Sequence, residues 1–271
     1  MTLPAPSPDR TCLVTGASSG IGAEIVKLLA AKGFGVTLVA RREAKLRALA
    51  DEMASKHGVR AEVIPADLTD ESSRANIVAE LESRGLAVNV LVNNAGLSTM
   101  GAVYRGEVAA ELAMVRTDVE AVVHLCTAFL PGMVERRSGS ILNVASTAAF
   151  QPLPGQAGYG ASKAFVLSYG HAIRAELRGT GVTLTTLCPG PVETGFGEAA
   201  GLTDEEAAGS LPKFMWVPPE EVAAAAVAGM DADRAVVIPG IFNRLGAAGG
   251  WLTPRGLITP LLARQHPALK H

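Results

Sequence analysis

Tyr159 and Lys163 stand four residues apart in a helix-like segment. Both side chains therefore leave one face about a turn apart, setting an ammonium beside a phenol. A phenol with an ordinary pKa near ~10 exchanges protons poorly at neutral pH, and an adjacent cation favours the phenolate and brings the group toward the working range. The same pair is common on helix surfaces, so its weight depends on what else the chain carries.

Far upstream, Thr15-Gly16-Ala17-Ser18-Ser19-Gly20-Ile21-Gly22 follows a strand-like run and opens a helix-like one. Gly16 and Gly20 let the backbone turn and approach a pyrophosphate with no Cβ in the way, and Gly22 permits close helix–strand contact. Free N–H groups at the helix start face the anion. The end of the second strand is where a carboxylate would accept from an adenosine ribose hydroxyl, but Ala40, Arg41 and Arg42 stand there. Guanidinium groups pair with phosphate through charge-assisted hydrogen bonds, which suits the 2′-phosphate of NADP(H), and Ser18 can add a hydroxyl. As solvated helix-start residues the two arginines would do none of this.

These groups need a scaffold, and the chain alternates strand-like and helix-like segments. The order begins Thr11–Thr15, Ile21–Ala31, Gly35–Ala40, Glu43–His57 and Val59–Pro65. It continues with a helix near Glu71–Arg84, a strand Val88–Val92, a long helix ending near Val134, strand Ser140–Val144, a helix near Ala157–Arg178 and strand Val182–Leu187. Pro218 and Pro219 then open a helix over Glu220–Gly229, before a last strand at Ala235–Ile238. Strands apolar on both faces belong in a parallel sheet covered by helices, so the expected class is α/β, a Rossmann-like doubly wound sheet. One domain is expected over 1–271: a cofactor-binding and catalytic core at 9–194, a flap over the substrate at 195–218, and a C-terminal extension at 241–271.

Composition narrows the function classes. With 48% hydrophobic and 18% charged residues and a net charge of −2, the chain reads as globular, and a nucleic-acid partner is not expected. Cys12, Cys126 and Cys188 lie singly in apolar segments, which predicts reduced core thiols and gives no zinc spacing, so no metal is expected. The first residues lack a basic start followed by an apolar run, and no stretch reaches the ~18 apolar residues of a membrane span. A cytoplasmic address is the expectation.

The Gly-x-x-x-Gly-x-Gly order of the loop resembles that of the short-chain dehydrogenase/reductase family. The resemblance extends to Asp67 after the third strand, Asn93-Asn94-Ala95-Gly96, Tyr159-x-x-x-Lys163 and Pro189-Gly190-Pro191-Val192-x-Thr194. It implies an NADP-dependent oxidoreductase moving hydride between NADP(H) and a carbonyl or secondary alcohol. Asp67 and Leu68 would contact the adenine, although Asp67 taken singly is an ordinary turn or capping residue. Asn94, Ala95 and Gly96 would line the ribose and phosphate side. Ser19, Ile21, Pro189, Val192 and Thr194 complete the implied cofactor contacts. Ser146, thirteen residues before Tyr159, would hydrogen-bond the substrate oxygen. Tyr159 would protonate that oxygen, and Lys163 would also hold the nicotinamide ribose. As a strand-end cap, Ser146 would have no such role.

One position departs from the family pattern. Where many relatives carry an asparagine that holds a proton-relay water, counting places Asp118. Three readings stay open: a variant relay, a surface aspartate after a one-residue misalignment, or an attenuated enzyme. In the flap, Phe196, Leu211, Phe214, Met215 and Trp216 suit either an apolar substrate pocket or packing onto the core. Gln151, Gln156 and His171 are polar enough to orient a substrate. The tail, with Trp251, Leu252, Leu257, Ile258, Leu261 and Leu262 among Arg255 and Arg264, suits an amphipathic helix. It could cover a subunit interface, shield the site or touch lipid headgroups. The resemblance implies a homodimer or homotetramer acting on a small molecule. A second reading keeps the fold without turnover, as a non-catalytic NADP(H)-binding sensor or interaction protein.

Overall fold

A computed structural model describes residues 3–192, 213–265 and 269. Seven parallel strands form one sheet in the order β3-β2-β1-β4-β5-β6-β7. They are β1 Arg10–Thr15, β2 Val36–Ala40, β3 Ala61–Pro65, β4 Ala87–Asn93, β5 Gly139–Val144, β6 Val182–Leu187 and β7 Val236–Val237. The chain winds outward in one direction from β1 to β3, then returns to the other side of β1 to build β4 onward. The switch between β1 and β4 opens a crevice at the carboxyl ends of both strands, the place where open α/β sheets take ligands.

Alternation along each strand assigns its residues to two cores. Cys12 and Val14 of β1 face one layer, with Ile25, Val26 and Leu29 of α1 (Gly20–Ala31), Leu46 and Met53 of α2 (Glu43–His57), and Val222, Ala226 and Met230 of α7 (Pro219–Asp231). Leu13 faces the other, with Ile77 and Leu81 of α3 (Glu71–Ser83), Leu125 and Met133 of α5 (Ala121–Glu135), and Val166 and Ile173 of α6 (Ala157–Glu176). Each fully buried large aliphatic side chain contributes roughly 1.5–3 kcal/mol of transfer free energy, so both faces hold the sheet firmly beneath the crevice. The three cysteines are free thiols within these layers.

Local signals set several boundaries. Gly58 closes α2 in the left-handed conformation at φ +66°, and Asp70 caps α3 by accepting from the Ser73 N–H at 2.8 Å. The predicted long helix is one continuous run from Val108 to Glu135, long and apolar enough by composition to cross a membrane; here it packs on the sheet through Val122, Leu125, Cys126 and Met133. Its first part is α4 (Val108–Val115), joined to α5 by a π-helical turn, Arg116–Glu120. The wider turn carries Thr117 and Asp118 into the interior. The C-terminal extension supplies α8 (Ile241–Leu252) and α9 (Arg255–Gln265), two helices where the sequence suggested one.

Candidate functional site

The glycine loop crosses the crevice between β1 and β4 and is tied down from both sides. The Thr15 hydroxyl accepts from the backbone N–H groups of Asn94 and Ala95, both at 3.0 Å. The Asn94 side-chain amide donates back to the Thr15 carbonyl at 2.9 Å. Gly16 and Gly20 sit at φ +66° and +56°, where a side chain would be strained. A Cβ on Gly22 would lie 2.5 Å from the Asn94 amide nitrogen and 2.6 Å from the Gly16 carbonyl oxygen. Gly22 therefore lets α1 pack close against the ends of β1 and β4 and makes room there for the Asn94 clamp. Ser19 begins α1 without a side-chain capping bond, leaving first-turn N–H groups to an anion in the loop. Ile21 packs its side chain against the core, so only its backbone faces that anion.

Arg41 and Arg42 are exposed at the start of α2, beside the loop. The Arg42 guanidinium donates to the Ser18 hydroxyl at 2.8 Å and to the Ser19 hydroxyl at 2.6 Å, so it is positioned by the loop rather than free in solvent. Beyond β3, the Asp67 carboxylate accepts from the backbone N–H and hydroxyl of Thr69, at 3.0 and 2.9 Å, shaping the turn there. Leu68 turns its side chain into the core at 6% exposure, so it can offer a ligand only backbone atoms. Its carbonyl accepts from the buried Arg74 at 2.7 Å.

At the crevice floor, Ser146 follows β5 and does two things. It caps the short 3-10 turn Thr147–Phe150 by accepting from the Ala148 N–H at 3.1 Å, and it hydrogen-bonds the Tyr159 phenol. Tyr159 and Lys163 share one face of α6, with the ammonium 5.6 Å from the ring centre. Lys163 Nζ also donates to the Val144 carbonyl at 3.2 Å. Opposite it, the π-turn delivers Asp118, whose Oδ2 lies 3.0 Å from Nζ while Oδ1 accepts from the Leu97 N–H at 2.7 Å. Asp118 is wholly buried, not a surface residue, and Oδ2 has the ammonium as its neighbour without a hydrogen bond of good geometry.

Burial and charge set the protonation states. Burial pushes the Tyr159 phenol above its ordinary value, and the opposing pull of Lys163 and the Ser146 hydrogen bond does not overcome it; Asp118 adds to the upward push. Burial pulls Lys163 down, but the Asp118 carboxylate and Tyr159 outweigh it, so the ammonium is held charged more firmly than usual. Burial raises Asp118 itself, against the ammonium and the Leu97 N–H. The arrangement is a proton-donating phenol held between a serine hydroxyl and a buried ion pair.

The remaining predicted residues fall in different places. The Pro189 carbonyl accepts from the Thr147 N–H at 2.9 Å, and Val192 pairs with Val217, so this segment borders the site. Gln156, just before α6, donates from its side chain to the Ser98 hydroxyl at 2.9 Å rather than capping the helix, and Gln151 abuts Gly250 of α8. His171, by contrast, is exposed twelve residues along α6 from Tyr159, away from the crevice. Thr194, Phe196 and Leu211 lie outside the described residues. Phe214 meets Phe242 of α8 edge-on at 4.7 Å between ring centres, and Met215 and Trp216 are half-buried.

Two functional contributors escaped the sequence. Thr15 was only the lead-in to the glycines, yet its hydroxyl joins β1 to β4. Asn243, 1% exposed in α8, donates to the Met215 and Pro239 carbonyls at 3.0 and 3.1 Å. It fills the space that a Cβ on Gly190 would need, approaching that position to 2.3 Å. No motif marks it, because its partners lie in distant segments.

Residues 10–205 match the family model described as short chain dehydrogenase. A short chain dehydrogenase of Pseudocercospora fijiensis is 35% identical over 204 residues, covering 72% of this chain and 66% of its own length. Among solved structures, a short-chain dehydrogenase from Sphingobium yanoikuyae in complex with NADPH is 31% identical with a TM-score of 0.80, covering 92% of this chain and 95% of that one. The bulky-bulky ketone specific alcohol dehydrogenase of Comamonas testosteroni is 28% identical with a TM-score of 0.75, covering 93% and 95%. The glycine loop, the serine–tyrosine–lysine constellation and these matches over most of the chain agree: the protein belongs to the short-chain dehydrogenase family of oxidoreductases.

Proposed function

We propose that the protein transfers hydride between NADP(H) and the carbonyl or secondary alcohol of an apolar small molecule. The observation that carries this is the placement of Ser146, Tyr159 and Lys163 together at the crevice that the uncapped glycine loop enters. The loop fits a pyrophosphate, since Gly16 and Gly20 adopt left-handed backbone and the first turn of α1 has unclaimed donors. Arg41 and Arg42, with Ser18 and Ser19, would hold a 2′-phosphate; the Sphingobium yanoikuyae relative, which binds NADPH, supports that choice. When bound, the nicotinamide supplies the hydride to carbon in reduction and accepts it in oxidation.

The chain's own residues handle the oxygen. Ser146 orients it by hydrogen bonding, and Tyr159 gives its proton to that oxygen during reduction or takes one from the alcohol during oxidation. Lys163 keeps a positive charge beside the phenol, limiting the cost of the anion left after proton transfer. The exposed Phe214 and Phe242, joined edge-on, support an apolar substrate at the flap. Assembly into homo-oligomers belongs to the same reading, supported by the exposed Tyr104, Val108, Leu112 and Phe165. A cytoplasmic address fits the free thiols.

The test is NADPH oxidation against aldehydes, ketones, diketones, 3-oxoacyl thioesters and steroids. Turnover with one of these classes supports the proposal. Tight NADPH binding with no turnover in any class would favour a cofactor-binding sensor.

A further inference from the structure

The ion pair beneath the phenol carries a further inference, which rests on the reading of Tyr159 as the proton-transfer group. Lys163 and Asp118 meet with 5% and 0% of their side chains exposed, so water screens neither charge. The pair is roofed by backbone: a Cβ on Gly96 would lie 3.2 Å from Nζ and 3.5 Å from each carboxylate oxygen. Leu97 fixes one carboxylate oxygen at 2.7 Å, which leaves the other aimed at the ammonium. This is a built arrangement, with the helix opened into a π-turn where the carboxylate enters.

The charges facing Tyr159 can be named from each packed element. Lys163 comes from its own helix, Asp118 from the π-turn, Ser146 from the end of β5 and Cys188 from the end of β6. Burial pushes the Cys188 thiol up to about 12, so it is neutral at working pH. Asp118 is thus the anion among these groups that bears on the phenol, while Glu111 of α4 lies against Gly158, the residue before Tyr159.

We propose that Asp118 is a positioning residue that acts through Lys163: its carboxylate neutralises the ammonium within a closed pair, so that Tyr159 keeps its proton through the neutral range and the site serves reduction there. A bare ammonium would favour a phenolate, the form that accepts a proton from an alcohol. A compensated one does so far less, because a second anion is opposed by the first. Alcohol oxidation should therefore emerge only at alkaline pH, while carbonyl reduction persists to higher pH than an uncompensated lysine would permit.

The test compares wild type with Asp118→Asn, which removes the charge and nearly preserves shape. With a substrate found by the panel, the kcat/KM profile for oxidation should move to lower pH. Oxidation on the rising limb should increase about tenfold, and the alkaline decline of reduction should begin earlier. Superimposable profiles would overturn the proposal. An ultraviolet difference titration reads the same group without turnover. The chain has three tyrosines, so wild type minus Tyr159→Phe isolates the phenolate of Tyr159. That signal should appear at higher pH than the phenolate of free N-acetyltyrosinamide, and at lower pH when both proteins also carry Asp118→Asn. If the asparagine variant does not fold, wild type alone decides, since Tyr159 ionising at lower pH than free N-acetyltyrosinamide contradicts the proposal. A shifted titration with no NADPH turnover in any substrate class would sink the enzymatic reading, and with it the role in reduction, while leaving the control of the Tyr159 proton by the Asp118–Lys163 pair in place.

Discussion

The Asn94 side-chain amide reaches across the crevice to the Thr15 carbonyl at 2.9 Å, and Gly22 is bare where that amide passes. Gly22→Ala would drive a methyl to 2.5 Å from the amide nitrogen, which could move only by breaking the clamp, and 2.6 Å from a backbone oxygen that cannot swing away. We expect a loss of about 1–3 kcal/mol in urea unfolding, the usual scale for overpacking, with weakened NADPH binding because the loop moves. Unchanged stability and binding would show that the clamp is slack.

Arg42 bonds to both Ser18 and Ser19, so the cation is already seated where a 2′-phosphate would arrive. Hydrogen bonds to charged groups are worth about 1.5–3 kcal/mol each. Arg41→Asp should accordingly weaken NADPH binding at least about tenfold and move preference toward NADH, and Arg42→Ala should weaken NADPH while sparing NADH. Titrating both cofactors into each protein checks this. Equal wild-type affinity for the two cofactors would remove the basis of the argument.

Asn243 and Gly190 interlock, and through Asn243 the extension holds the Met215 carbonyl, two residues before the Val217 that pairs with Val192. Gly190→Ala should expel the asparagine side chain, break its two hydrogen bonds and loosen α8. Hydrogen exchange should then rise in Ile241–Leu252 while β1 and β4 stay protected. Protection of α8 equal to wild type would mean the interlock contributes nothing.

These residues also show what could be read in the chain before its structure. β1, β4 and β5 announce themselves because both their faces are apolar, and that pattern has few homes outside a covered parallel sheet. Tyr159 and Lys163 are legible because helical spacing alone puts them on one face. Leu68 illustrates the limit: its motif position marks it as a ligand contact, and only the structure shows that its side chain lies in the core, so that such a contact would be through its backbone. His171 lies too far along α6 for the site, as polarity says nothing of distance along a helix. The π-turn was hidden because its extra residue rotates the following helix face by about 100°, which in the sequence reads only as an irregular apolar pattern, although it decides that Asp118 points inward. Asn243 was beyond reach, since its partners are set by tertiary packing alone.

Tyr159→Phe removes the phenolic proton but little surface near the glycine loop. It should abolish turnover, by at least the 10²-fold typical of a lost general acid, while NADPH binds nearly as in wild type. Lys163→Ala should damage both, since it also abandons the buried Asp118 carboxylate. Substantial activity in the phenylalanine variant would assign proton transfer to another group.

The most direct measurement is the fate of deuterium carried at the transferable position of NADPH. With a ketone accepted by the enzyme, one deuterium should appear at the carbinol carbon of the alcohol for each NADPH consumed by wild type, and none should transfer in Tyr159→Phe. Alcohol formed without that label, or label transferred equally by the variant, would contradict hydride transfer paired with proton donation by Tyr159.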